Sequence, residues 1–160
     1  MIRLGNSFYG YTPFTSHTKE GRTAKKELRP ALELISHISQ IKNVAIGSEI
    51  GYGGTYKAKQ REKIAILPLG YNEGLVKRLS NLGVVALENG EICQIIGSIC
   101  MNMTIIRLPR KSKARVGDRV IIISSFPDNP NSLTRHAQII NDLEYTLLTG
   151  LHHSIRRTII

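Results

Sequence analysis

Three short clusters hold the side chains best suited to chemistry. In Gly51-Tyr52-Gly53-Gly54-Thr55-Tyr56 a tyrosine lies between glycines, on backbone that can bend sharply and set a phenol at the rim of a sheet. A phenol in that pose can give or take a proton, although tyrosine and glycine also build ordinary turns. In Leu67-Pro68-Leu69-Gly70-Tyr71-Asn72-Glu73-Gly74 an apolar run ends in a turn bearing a second tyrosine, a pattern that also suits a loop aromatic covering a barrel mouth. In Ile95-Ile96-Gly97-Ser98-Ile99-Cys100-Met101-Asn102-Met103 the glycine marks a bulge or a close backbone approach, and Met101 taken alone reads as core packing. His152-His153 offers two imidazoles, but adjacent histidines without further ligands make a poor metal site. Cys93 and Cys100 match no common zinc spacing and read as buried free thiols.

The elements that must carry these clusters are short. Apolar runs over Leu32 to Ile46, Ile64 to Leu69, Val84 to Leu87, Ile92 to Ile99, Met103 to Leu108 and Val116 to Ser124 alternate with turn signals such as Asn72-Glu73-Gly74, Asn89-Gly90 and Gly117-Asp118. Strands at this spacing predict a mainly β fold, a small barrel-like domain. Near the end the period changes. Ser132 or Thr134 can cap a helix in which Ala137, Ile139, Ile140, Leu143, Leu147 and Leu148 recur at three- and four-residue steps, so one or two short helices close the domain. At the other end, residues 2–10 start apolar and finish in Ser7-Phe8-Tyr9-Gly10, as a short strand closed by a glycine turn would. Thr12 to Lys26 is polar and reads as a linker. The expected division is therefore a strand-and-linker remnant over 1–27 and a β-domain over 28–160.

With 160 residues, 41% hydrophobic and 21% charged, the chain suits one ordinary domain with a real core. No apolar stretch approaches the roughly 20 residues of a membrane helix, and Met1-Ile2-Arg3-Leu4-Gly5-Asn6 does not read as a secretory signal. A cytoplasmic protein without membrane contact is the expectation. The net charge of +10 would favour polyanions. Yet the basic residues are scattered, as in Lys25-Lys26, Arg110 to Arg115 and Arg156-Arg157, and form no nucleic-acid motif, so a solvated basic surface is the expected reading. No glycine-rich phosphate loop of the Walker or dinucleotide type is present.

The order of the clusters carries more than any one of them. The chain resembles alanine racemase, whose members carry in sequence a V-R-x-G-x-x-x-Y-G strand, L-K-P-x-x-x-L-x-S, G-Y-G-x-T-Y, P-x-G-Y-x-D-G, V-G-R-x-C-M-D, a G-D pair and a helical tail ending near R-x-P-R. The matching segments are Ile2-Arg3-Leu4-Gly5 to Tyr9-Gly10, Leu28-Arg29-Pro30 to Ser36, Gly51 to Tyr56, Pro68 to Gly74, Ile96 to Asn102, Gly117-Asp118 and Leu147 to Arg157. The resemblance spans essentially the whole chain and rests on co-occurrence in order.

The resemblance implies a pyridoxal-phosphate enzyme that interconverts L- and D-alanine for cell-wall peptidoglycan. In that family an α/β barrel holds the cofactor on a lysine, and a C-terminal β-domain from the opposite subunit of a homodimer completes the site. On this basis the chain is the C-terminal β-domain joined to the barrel's last strand, lacks the cofactor lysine, and needs a homodimer or a barrel-containing partner chain. Tyr52 matches the catalytic tyrosine, which works on one face of a small amino-acid substrate while the lysine works on the other. Met101 matches the residue whose backbone amide meets the substrate carboxylate, and Tyr71 and Asn102 match residues at the site mouth. For the cofactor, Arg3 matches the arginine facing the pyridine nitrogen, Gly5 and Asn6 fall where backbone amides reach the phosphate, and His153 stands where the tail contacts that phosphate. Three residues at the site mouth depart from the family pattern. Asn102 replaces the usual aspartate and Asn72-Glu73 the usual Ala-Asp, which leaves open a racemase for another small amino acid such as serine. A noncatalytic basic β-barrel that binds anions is the rival from another class.

Overall fold

The computed structural model describes residues 1, 5–12 and 18–159, so Arg3 lies outside the described residues. Nine strands and three helices make up the fold among the described residues. In chain order they are α1 (Lys19–Glu27), β1 (Leu34–His37), β2 (Gln40–Val44), β3 (Glu49–Ile50), β4 (Tyr56–Lys57), β5 (Glu62–Leu67), β6 (Val84–Leu87), β7 (Ile92–Ile95), β8 (Thr104–Leu108), β9 (Arg119–Ile123), α2 (Leu133–Ile139) and α3 (Glu144–Thr149). Seven strands form one antiparallel sheet in the order β1-β9-β6-β7-β8-β5-β2, while β3 and β4 form a separate hairpin.

The two outer strands of the large sheet, β1 and β2, are neighbours along the chain. Between them Ile38 donates its N–H to Asp118 O (2.9 Å), while Ser39 donates to Ile66 O (2.9 Å). One bent segment therefore pairs with β9 through its first half and with β5 through its second, which curls the sheet into a half-barrel. The interior follows from strand alternation. In β8, Thr104, Ile106 and Leu108 are buried and Ile105 and Arg107 are half-buried. Ile38, Ala65, Leu67, Val85, Ile95, Ile106, Val120 and Ile122 fill the middle. Each such aliphatic side chain removed from water contributes roughly 1.5–3 kcal/mol. Helix α2 closes the assembly, capped by the Ser132 hydroxyl, which accepts from Arg135 N–H. Leu133 and Ala137 of that helix and Leu147 of α3 bury into the same core.

Outside the barrel the β3–β4 hairpin lies against a smaller cluster of Ile50, Ile64 and Ile96, flanked by Val44, Tyr56 and Ile105. Behind it the Tyr56 hydroxyl donates to the buried Glu62 carboxylate (2.9 Å) and accepts from Arg107 (3.2 Å).

Two expectations at the start of the chain are corrected. Residues Gly5–Tyr9 form a 3-10 turn rather than strand. Gly5 takes the left-handed φ of 53°, and Tyr11 N–H returns to Asn6 O (3.1 Å), a local closure that an extended strand could not make. The polar stretch read as linker holds α1. The Thr18 hydroxyl caps it by accepting from Gly21 N–H (3.0 Å), and it ends before Pro30, which disfavours helix at the residue before it. No apolar stripe announces this helix, because its residues are mostly polar and face water. No helix among the described residues is long and apolar enough to cross a membrane.

Candidate active site

One connection, residues 96–103 between β7 and β8, gathers the expected site residues. At its start two glycines cross: Gly51 at φ 78° and Gly97 at φ 71°. A Cβ on Gly51 would lie 2.7 Å from Ser98 N, and one on Gly97 would lie 2.7 Å from Ile50 O, so neither position accepts a side chain. This close approach seats the short 3-10 turn Tyr52–Gly54 directly on the connection. The Ser98 hydroxyl donates to Tyr52 O (3.1 Å) and lies 3.2 Å from the Thr55 hydroxyl. Held by its backbone, Tyr52 presents its ring outward with 79% of its surface exposed.

Behind the turn stands Asn81, a residue that sequence reasoning missed. It adopts φ 62° in the left-handed region. Its side-chain oxygen accepts from Gly97 N–H (2.6 Å), and its amide donates to the Thr55 hydroxyl (3.2 Å) and carbonyl (3.4 Å). Gln94 Nε2 donates to the Asn81 carbonyl (3.1 Å). Asn81 thus ties the Tyr52 turn to β7, and only its Asn-Leu-Gly context hinted at a turn.

At the far end the connection meets the Tyr71 turn. Tyr71 N–H donates to Cys100 O (3.0 Å) and Asn72 N–H to Met101 O (2.9 Å). Gly70 makes this possible, since a Cβ there would lie 2.1 Å from Cys100 O. Tyr71 and Met101 remain exposed, as does Asn102. Lys77 Nζ sits 5.8 Å from the centre of the Tyr71 ring. Glu73 accepts from Gly70 N–H (2.8 Å), Asn72 Nδ2 (3.1 Å) and Asn102 Nδ2 (2.8 Å). Partial burial raises the Glu73 pKa, but these three donors outweigh it and hold the carboxyl below its ordinary value.

The tail reaches the same place. His152 N–H donates to Glu73 O (3.3 Å), and a Cβ on Gly74 would lie 2.4 Å from Gly150 O. The His152 and His153 rings lie side by side, tilted by 38° with centroids 4.2 Å apart, and His152 Nδ1 lies 2.7 Å from the Ser154 hydroxyl. Gly5 and Asn6 sit on the first turn, whose contacts among the described residues run to the Arg29–Ala31 backbone: Ala31 N–H donates to Tyr9 O (3.1 Å), and a Cβ on Gly10 would lie 1.8 Å from Arg29 O. The structure therefore joins Tyr52, Tyr71, Met101 and Asn102 around one connection, with the His153 tail at its edge and Gly5-Asn6 on a separate turn.

The expected free thiols are both unpaired with each other, Cys93 buried and Cys100 half-buried. Much of the basic charge near the barrel is already engaged. Lys63 Nζ donates to Ser112 O (3.3 Å), and Arg107 donates to Gln94 (2.8 Å) as well as to Tyr56.

Comparison with known proteins decides the family. The sequence pattern of "Alanine racemase, C-terminal domain" matches residues 31–159. The chain belongs to that family. It is 38% identical over 157 residues to the alanine racemase of Staphylococcus carnosus (strain TM300), covering 98% of this chain and 40% of that protein. This chain thus spans well under half the length of such a relative. The biosynthetic alanine racemase of Pseudomonas aeruginosa superposes with a TM-score of 0.81 at 26% identity, covering 95% of this chain and 40% of that one. A Bartonella henselae alanine racemase described with covalently bound pyridoxal phosphate shares the fold at a TM-score of 0.80 and 24% identity, over 96% of this chain and 40% of its own. The mainly β barrel with short C-terminal helices expected from the sequence is the architecture of this racemase domain.

Proposed function

We propose that this chain forms the C-terminal portion of a pyridoxal-phosphate-dependent alanine racemase and supplies Tyr52 to the proton-transfer site. One observation carries the reading: the Tyr52 turn and the Tyr71 turn are both bonded to the single connection 96–103, which itself carries the Met101 backbone. A phenol, a peptide amide and a mouth aromatic thereby share one rim.

Racemisation needs a proton taken from one face of the substrate Cα and returned on the other. Tyr52 is the group for one face. Its side chain is largely exposed and so free to meet a facing chain, and its turn is held on the barrel side by Ser98, Thr55 and Asn81. Asn72 takes the Met101 carbonyl, so it is the Met101 N–H that is left to meet the substrate carboxylate. Tyr71 and Asn102 line the mouth through which a small amino acid passes. The group for the other face, a lysine, belongs to a barrel in the other subunit of a homodimer or in a partner chain. D-alanine made in this way in the cytoplasm would serve cell-wall peptidoglycan.

The residues here are compatible with the phosphate end of the cofactor. Among the described residues nothing lies within 4 Å of the position that a Cβ on Gly5 would take, so none of them stops a ligand from approaching that backbone closely. Gly5 and Asn6 would offer their amides there, His153 would reach in from the tail, and Arg3 would face the pyridine nitrogen. When bound, pyridoxal phosphate supplies the electron sink that acidifies the substrate Cα.

The test is D-alanine formation from L-alanine with pyridoxal phosphate and a barrel-bearing racemase half. Tyr52→Phe should cut turnover by about 10²–10⁴-fold, the range a positioned acid–base group supplies. Unchanged turnover in that variant would remove Tyr52 from the chemistry, and robust turnover by the chain alone would overturn the incomplete site.

A further inference from the structure

Glu73 bonds to more than one segment at once. Its carboxylate accepts from Gly70 and Asn72 in its own turn and from Asn102 across the connection, and its carbonyl accepts from His152 in the tail. The contact with Asn102 has a direction. At 2.8 Å the amide donates and the carboxylate accepts, a bond that is strongest while Glu73 is ionised and position 102 offers a donor.

The geometry points to Glu73 and Asn102 as one charge-matched latch that sets the Tyr71 turn, the Met101 connection and the C-terminal tail around the site mouth, with Glu73 as a positioning residue. Neither side chain need touch substrate. The latch holds Met101 through the Asn72–Met101 bond beside it and holds the tail through His152. A carboxylate at both positions would place two like charges at hydrogen-bond distance, and one would take up a proton or the loops would part. The charge can instead be carried by position 102 if position 73 becomes the donor. Among the described residues, the charged or titratable groups on the segments joined here include Tyr71, His152 and His153 on the tail, and Lys77 beyond the Tyr71 ring.

The inference rests on the racemase reading only for its effect on substrate. The experiment therefore has two arms. In this chain alone, carbon-13 NMR follows the Glu73 carboxyl through its titration while amide shifts report on His152 and on the Asn102 side chain. Asn102→Asp should move the Glu73 midpoint from below the ordinary glutamate value to above it and shift the His152 amide. Asn102→Ala, which removes the donor without adding charge, should move the midpoint less. In the assembled racemase, Asn102→Asp should raise KM for alanine at least about tenfold with a smaller change in kcat. Glu73→Gln combined with Asn102→Asp should return KM to within about threefold of the parent. An Asn102→Asp chain with unaltered Glu73 titration overturns the latch, and so does a double variant no better than the single. Expected NMR shifts in an assembly without racemase activity support the latch and refute the functional reading instead.

Discussion

Replacing Asn81 separates the side chain's role from that of its backbone. At φ 62° an alanine pays about 1–2 kcal/mol that glycine avoids. The greater loss should come from the side-chain oxygen. Gly97 is buried, and its N–H has Asn81 as partner at 2.6 Å; without it a buried donor costs roughly 1–3 kcal/mol. Asn81→Gly should therefore destabilise by about 1–3 kcal/mol, and Asn81→Ala by about 2–5 kcal/mol, the sum of both effects. Asn81→Asp keeps an acceptor for Gly97 and a residue tolerant of left-handed backbone, losing only the half-exposed donation to Thr55, so about 1 kcal/mol or less is expected. Urea unfolding of the chain, followed by circular dichroism with a common slope, reads the order Ala, Gly, Asp directly. An Asn81→Gly chain within about 0.5 kcal/mol of the parent would refute the idea that this amide holds the connection under Tyr52.

Two further outcomes follow from burial. His136 is fully buried with Nε2 2.8 Å from Val84 O and no partner for Nδ1; burial lowers its pKa, only partly offset by the Val84 bond. A lowered folded pKa means that the unfolded chain binds the extra proton first, so stability should hold above about pH 6.5 and fall below it, by up to about 1.4 kcal/mol per pH unit. Denaturation midpoints from pH 8 to 5 check this, and a flat profile that His136→Gln does not alter would contradict it. Gly70→Ala should cost about 1–3 kcal/mol, because its Cβ would meet the Cys100 carbonyl rather than a movable side chain; an unchanged thermal midpoint would refute the close approach.

Much of the barrel was legible because its strands obey local patterns. Val84–Leu87 and Thr104–Leu108 fall inside the expected apolar runs, and Ser132 caps α2 as its hydroxyl suggested. What escaped was partnership at a distance. Nothing local to Ile38 and Ser39 says that one bonds to Asp118 and the next to Ile66. Helix α1 lacked an apolar face, and the apolar start of residues 2–10 suggested a strand where Gly5–Tyr9 instead closes on itself as a 3-10 turn. In the site, Tyr52, Tyr71, Met101 and Asn102 were picked out by motif, and their gathering follows from residues 96–103. Asn81 and the Glu73–Asn102 pair were invisible, since each acts through hydrogen bonds to segments far away in the sequence.

The bent segment through Ile38 and Ser39 also bears on how such a domain survives in solution. Open sheets invite intermolecular strand addition along their free borders, the usual route to aggregates. Here both borders, β1 and β2, are paired on one side only, to β9 and to β5, and they follow each other along the chain, so strand addition is confined to this one bent segment. The cost falls on kinetics. Leu34 must find Ile123 and Gln40 must find Ile66 before the curl can shut, so long loops have to be closed early, and refolding should be slow for a chain of this size.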